Sequence, residues 1–250
     1  MPQRGPNGAA ALDWRIKTPA FIQLVGPSQA GKSTLIRRLI ADDAVWDRPI
    51  RAVFYCAPDS LSDDQRKALE EAAGEKELTV RDGDRRLPEL TELLAAAASG
   101  DLLFVADDLL GFDGNLGLMR SLATAHSHHR RISCLYSVQN PYAKRPGLDF
   151  PTMSRNATGH FVLYQISDWL YYDTLSRRLF PDRSGYLLRR LLESQEKYGC
   201  SYVFVHTHPR GGLPRKYACR TALLENERRH GSPIVFDLDD ETPPKSSVAS

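Results

Sequence analysis

The sequence predicts an α/β protein with a mostly parallel sheet, helices on both faces and a C-terminal strand or hairpin extension. Three stretches carry that expectation. The first is Phe21-Ile22-Gln23-Leu24-Val25, an apolar run entering Gly26-Pro27-Ser28-Gln29-Ala30-Gly31-Lys32-Ser33-Thr34, after which Leu35 to Ile40 continue with helical spacing. A strand, a G-x-x-x-x-G-K-S turn and a helix in that order form the setting of a phosphate-binding loop. The second is Leu102 to Ala106, a buried-strand run ending in the paired carboxylates Asp107 and Asp108. The third is Ile132 to Val138, another such run, ending in the amide of Gln139. Strand-like runs separated by helical patterns imply crossover connections and a parallel sheet.

In the loop, Gly26 and Gly31 permit backbone angles that turn successive N–H groups inward, and these donors and the positive helix end together suit a polyphosphate. Lys32 would reach the β- and γ-phosphates, and the Ser33 hydroxyl would sit on Mg2+. Pro27, Ser28, Gln29, Ala30 and Thr34 complete the expected ATP-binding set. The alternative is an ordinary glycine-rich turn between strand and helix, but the flanks match as well as the motif.

A carboxylate at the C-terminal end of a buried strand suits Mg2+, and a second one beside it can polarise an attacking water. Asp107 is therefore assigned to magnesium and Asp108 to the base. A turn-capping role is the alternative for either. Gln139 is the candidate for orienting water against a γ-phosphate, on a strand expected between the loop strand and the acidic strand. The alternative there is a simple turn start with Asn140-Pro141.

At 250 residues and 42% apolar composition the chain can bury one substantial core. The expected layout is a flexible arm over 1–17, an ATPase domain over 18–236 and an acidic, then Pro/Ser-rich disordered tail over 237–250. No apolar run approaches the ~18 residues that would span a bilayer, and the first residues lack the apolar core of a secretion signal, so a soluble protein is expected. Net charge is +2, from 33 basic and 31 acidic residues, which excludes a strong overall positive field. DNA contact must then come from local patches; Arg210, Arg215, Lys216 and Arg220, around a hairpin expected at 209–215, are the candidates. The four cysteines form no C-x-x-C pair and are read as buried thiols. His126, His128 and His129 have no second ligand group at fixed spacing, so zinc is disfavoured. Further helices are expected over 62–73, 87–98, 116–127, 168–180 and 185–198, a long loop over 142–152, and strands near 50–57, 78–81, 159–165, 201–208 and 216–223.

Taken in order, Gly26 to Thr34, Val105-Ala106-Asp107-Asp108-Leu109, Ser127-His128-His129-Arg130-Arg131-Ile132-Ser133 leading to Val138-Gln139-Asn140, and Met153-Ser154-Arg155-Asn156-Ala157 resemble a known group. So do Leu179-Phe180-Pro181 and the late strand reaching His208-Pro209. The group is the genome-packaging ATPases of the poxvirus, adenovirus-like and Maverick/Polinton lineage, within the FtsK/HerA superfamily, and the likeness spans about residues 18–224. It implies an additional-strand (ASCE-type) sheet and a homo-oligomeric ring, typically a hexamer. It also implies ATP- and Mg2+-driven translocation of double-stranded DNA into a viral capsid, with capsid vertex proteins as partners. Localisation would be inside the host cell, in cytoplasm or nucleus, and transiently at the capsid vertex. An arginine before the sensor strand is the usual trans-acting finger of such motors, which leaves Arg130 and Arg131, with Arg155 still open. Asp108 departs from the glutamate that many relatives carry. Two other readings compete: a P-loop kinase, because the loop also resembles those of guanylate-kinase-like enzymes, and a nucleotide-dependent assembly module with weak turnover.

Overall fold

The computed structural model describes residues 13–126, 131–140, 143, 145–164, 169–181, 183, 185–207, 218–228 and 232–236. These form one nine-stranded sheet in the order β3-β2-β4-β5-β1-β6-β7-β8-β9. The strands are β1 (Phe21–Val25), β2 (Ala52–Ala57), β3 (Glu77–Asp82), β4 (Leu102–Ala106), β5 (Ile132–Val138), β6 (Gly159–Leu163), β7 (Tyr202–His206), β8 (Cys219–Thr221) and β9 (Ile234–Phe236). From β3 to β6 every pairing is parallel, and β7, β8 and β9 add antiparallel. The fold is α/β, a mostly parallel sheet with helices on both faces. β5 lies between the loop strand β1 and the acidic strand β4, as the sequence pattern predicts.

Although β1, β4 and β5 are buried throughout, their side chains still alternate between two cores. Phe21, Val25, Phe104, Cys134 and Tyr136 point to one face, where Leu93, Met119, Met153, Tyr172 and Leu187 cover them. Those residues come from α3 (Leu90–Ala96), α4 (Gly117–Ser121), α5 (Phe150–Asn156), α6 (Trp169–Leu179) and α7 (Tyr186–Tyr198). Ile22, Leu24, Leu103, Val105 and Leu135 point to the other face, against Leu35, Ile36, Leu39 and Leu69. These last belong to α1 (Lys32–Ala41) and α2 (Asp63–Ala73). Each fully buried Leu, Ile or Phe contributes about 1.5–3 kcal/mol, so the two cores fix the register on which the site depends.

α2 begins at a capping box in which Ser62 accepts from Gln65 N while Gln65 Oε1 accepts from Ser62 N. Residues 142–152, expected as loop, contain the start of α5. Asp149 caps it by accepting from Thr152 N at 3.1 Å, and Pro151 occupies its first turn. The helix expected over 116–127 is α for one turn only and then widens into a π-helical turn over Leu122–His126. β9 was not expected, because three apolar residues give no usable period; it forms by pairing with β8. At the other end, Ile16 N donates to Val45 O at 2.7 Å and Asp47 N to Ile16 O at 3.0 Å, so the last residues of the expected arm run along the domain.

Cys56, Cys134, Cys200 and Cys219 are buried free thiols, as expected. Burial pushes Cys56 and Cys219 up to about 12. The expected tail, the hairpin tip with Arg210, Arg215 and Lys216, His128, His129 and Arg130 lie outside the described residues. No helix among the described residues is long and apolar enough to cross a membrane.

Candidate nucleotide-binding site

The loop between β1 and α1 is built by two different glycine requirements. Gly31 has φ 89° and caps α1, a left-handed conformation that side chains other than glycine rarely adopt. Gly26 has no positive φ, contrary to the expectation that both glycines serve backbone angles. Its need is space: a Cβ there would lie 3.0 Å from Leu163 Cβ and 3.3 Å from Ala30 Cβ. Gln29, also at positive φ, completes the turn. Ser28, Gln29, Gly31, Ser33 and Thr34 are exposed, while Lys32 is buried. Its Nζ donates to Gly26 O and Pro27 O, both at 2.7 Å. Burial lowers the Lys32 pKa, an effect opposed by the charges of Asp107 and Asp108.

Asp107 and Asp108 leave the C-terminal end of β4. Ser33 Oγ donates to Asp107 Oδ2 at 2.8 Å, and the Tyr55 hydroxyl donates to the same oxygen at 2.7 Å. Ser137 Oγ donates to Asp107 Oδ1 at 2.6 Å and accepts from Asp108 N at 2.7 Å. Burial first, and then the charge of Asp107, raise the Tyr55 pKa, so its proton is firmly held. Asp108 sits at φ 55°, half-buried, and its Oδ1 is buried with no hydrogen-bond partner among the described residues. Desolvation, reinforced by Asp107, raises its pKa above the ordinary 3.8. Gln139, at the tip of β5, accepts from Ser28 Oγ at 3.0 Å.

These groups line one open cleft of about 280 Å³, at the small end of the roughly 300–1,000 Å³ of small-molecule sites. Lys32, Ser33, Asp107, Asp108 and Gln139 line it together with Arg37, Tyr55, Pro58, Asp59, Ser60, Leu61 and Gln65. Hydroxyl and carboxylate oxygens from Ser33 and Asp107 are hard donors that suit a Mg2+ ion sharing its shell with phosphates and water. Among the described residues no cluster of three His, Cys, Asp or Glu offers a cage for another metal.

Tyr55, Ser137 and Arg37 were missed by the sequence reading. Tyr55, Asp107 and Ser137 share a sheet face by period two, and that shared face becomes visible only once β2, β4 and β5 are known to be neighbours in this register. Arg131 is exposed, with φ 56°, and its carbonyl accepts from Leu102 N at 2.9 Å. It stands at the N-terminal end of β5, the end away from Gln139. Arg155 lies near the end of α5, its Nε donating to Pro151 O at 3.2 Å.

Arg220 does not belong to a surface basic patch. Its backbone pairs in register with Phe204, and its guanidinium is fully buried between Phe204 and Trp14, 5.3 and 5.7 Å from the ring centroids. Arg220 donates to Trp14 O at 2.8 Å, and burial pushes its pKa down to about 10.

No known protein family matches the chain, and no curated protein matches it. Among solved structures it is similar to the genome packaging NTPase of Sulfolobus turreted icosahedral virus 2 in complex with ATP-gammaS. The TM-score is 0.46 at 14% identity, over 76% of this chain and 93% of that one. It is also similar to a KaiC-like protein of the hyperthermophilic archaeon Pyrococcus horikoshii, with TM-score 0.41 and 15% identity, over 60% of this chain and 76% of that one.

Proposed function

We propose that the chain is an ATP-hydrolysing motor that moves double-stranded DNA, of the genome-packaging kind. The observation that carries the hydrolytic half is the Ser33–Asp107 hydrogen bond beside a half-buried Asp108 whose Oδ1 has no partner among the described residues. A carboxyl group of raised pKa, lining the same cleft as Lys32 and Ser33, suits proton uptake from an attacking water. Gln139, already within reach of Ser28, orients that water from the adjacent strand. Lys32 exchanges the carbonyls of Gly26 and Pro27 for phosphate oxygens, and Ser33 and Asp107 hold Mg2+. The ion, when bound, neutralises charge on the β- and γ-phosphates.

The same arrangement argues against a kinase, which needs an acceptor group where this cleft carries a carboxylate and an amide suited to water. The packaging half rests on the motif order from Gly26 to Ala157 and on its resemblance to viral packaging motors. In that reading the chain works as a homo-oligomeric ring, typically a hexamer, at a capsid vertex, and Arg130 or Arg131 completes a neighbour's site. The test is ATP turnover with and without double-stranded DNA. Several-fold stimulation supports the motor. Turnover dependent on a small acceptor supports a kinase, and slow turnover indifferent to DNA supports an assembly module.

A further inference from the structure

We propose that Tyr55 is the positioning residue that fixes the Asp107 carboxylate for the metal ion of the bound nucleotide, an inference that rests on the nucleotide reading of the cleft. Asp107 receives three donors from three elements. Ser33 on α1 and Tyr55 on β2 share Oδ2, and Ser137 on β5 takes Oδ1. The strands β2 and β5 flank β4 on its two sides, so Tyr55 and Ser137 grip opposite oxygens and together set the plane of the carboxylate.

Ser33 cannot do this work alone. It is exposed on the first turn of α1, beside a loop that rearranges its own hydrogen bonds when Lys32 leaves the Gly26 and Pro27 carbonyls for phosphate. Tyr55 is only 4% exposed, on a strand held by parallel neighbours on both sides, and its position does not depend on the loop. A metal ligand whose orientation is fixed by outer hydrogen bonds binds its ion more tightly, and loss of such a bond typically costs about 10–100-fold in metal affinity. The plain structural account, a buried phenol satisfied by the nearest carboxylate, predicts a change in stability with no effect specific to the metal.

The test uses the full chain with a non-hydrolysable ATP analogue and Mn2+ as a paramagnetic probe. Tyr55→Phe keeps the ring and removes the hydroxyl. We expect the variant to bind the analogue in EDTA as the parent does, and to bind Mn2+ in the ternary complex about tenfold more weakly. Ser137→Ala, which frees the other oxygen, shifts Mn2+ affinity in the same direction. Parental Mn2+ affinity in Tyr55→Phe overturns the inference, as does an equal loss of analogue affinity in EDTA. If the parent itself takes up neither analogue nor Mn2+, the nucleotide reading fails and this inference falls with it.

Discussion

Ser33 Oγ lies 2.8 Å from Asp107 Oδ2, although 74 residues separate the two in sequence. β1 and β4 are not neighbours, and it is the interposed β5 that sets the spacing at which the first turn of α1 meets the tip of β4. The contact brings together the hydroxyl and the carboxylate that a nucleotide-bound cation would share.

The lysine beside that contact is held in reserve. Lys32 Nζ is satisfied by two loop carbonyls that a polyphosphate would replace as acceptors. Hydrogen bonds to charged groups contribute about 1.5–3 kcal/mol, so Lys32→Ala should weaken binding of an ATP analogue by roughly 10–100-fold. Equilibrium binding with and without Mg2+ measures this, and the loss should appear in both conditions.

On the proposed reading, Asp108 separates binding from chemistry. Asp108→Asn should keep analogue affinity and lower turnover by about 10²–10⁴-fold, the usual contribution of a general base. The base works only when ionised, and burial together with Asp107 raises its pKa above 3.8. The parent rate should therefore climb with pH through a value higher than that of an ordinary aspartate and level off above it. The asparagine variant should lose this acid limb. A limb retained in Asp108→Asn would assign the proton acceptor elsewhere.

Asp82 offers a stability test behind Leu61, which lines the cleft. It accepts from Leu61 N at 2.8 Å and from Arg66 at 2.6 Å, holding the segment between β2 and α2. The Leu61 amide above all holds its carboxyl below 3.8; burial opposes this, and the Arg66 guanidinium adds to the lowering. A carboxylate depressed on folding stabilises the protein above its unfolded pKa, and that contribution is lost as pH falls through the folded value. Asp82→Asn should cost about 1 kcal/mol at pH 7, and the difference from the parent should shrink as pH falls below 3.8 through the folded value. Urea denaturation at both pH values checks it.

The strand, glycine turn and helix over 21–41, the acidic tip and the interposed strand were legible because each is a local pattern: a motif with its flanks, or a buried run ending in a polar residue. The support around Asp107 was not, since Tyr55 and Ser137 meet it only through strand register, which no single segment encodes. Arg220 misled for a related reason. A basic residue next to a turn-rich segment reads as solvated, yet the register with Phe204 turns it inward beneath Trp14. α5 was detectable in principle from Asp149 and Pro151, a cap followed by a first-turn proline.

DNA binding, on the proposed reading, is made to the backbone and weakens as salt rises. Changing Arg210, Arg215 and Lys216 together to Glu should reduce the steepness of that dependence by about one unit of log-log slope for each phosphate that is no longer neutralised. Arg220→Gln should leave the slope unchanged, because a buried guanidinium reaches no phosphate. Affinity that is flat with salt in the parent would reject a backbone grip.

The last prediction concerns completion of the site by a neighbour. Arg131 precedes β5 and Gln139 follows it, so the seven residues of the strand, about 23 Å at roughly 3.3 Å per residue, separate the arginine from the cleft of its own chain. A side chain cannot span that distance, and any action of Arg131 on a γ-phosphate must be exerted on another subunit. Arg131 is exposed and its backbone is held by Leu102 N, which leaves its guanidinium able to face outward. An arginine supplied in this way stabilises charge on the transferred phosphoryl group and is worth about 10³–10⁵ in rate. Arg130→Ala/Arg131→Ala with Lys32 intact should therefore bind an ATP analogue at parental affinity and turn over little ATP. Lys32→Ala with both arginines intact should also be nearly inactive, for want of the lysine's hold on phosphate. If the chain forms the proposed ring, mixed rings contain interfaces that pair an intact loop with an intact arginine, and part of the activity should return. Mixing that demonstrably forms joint rings and restores no turnover would leave these arginines as surface charges.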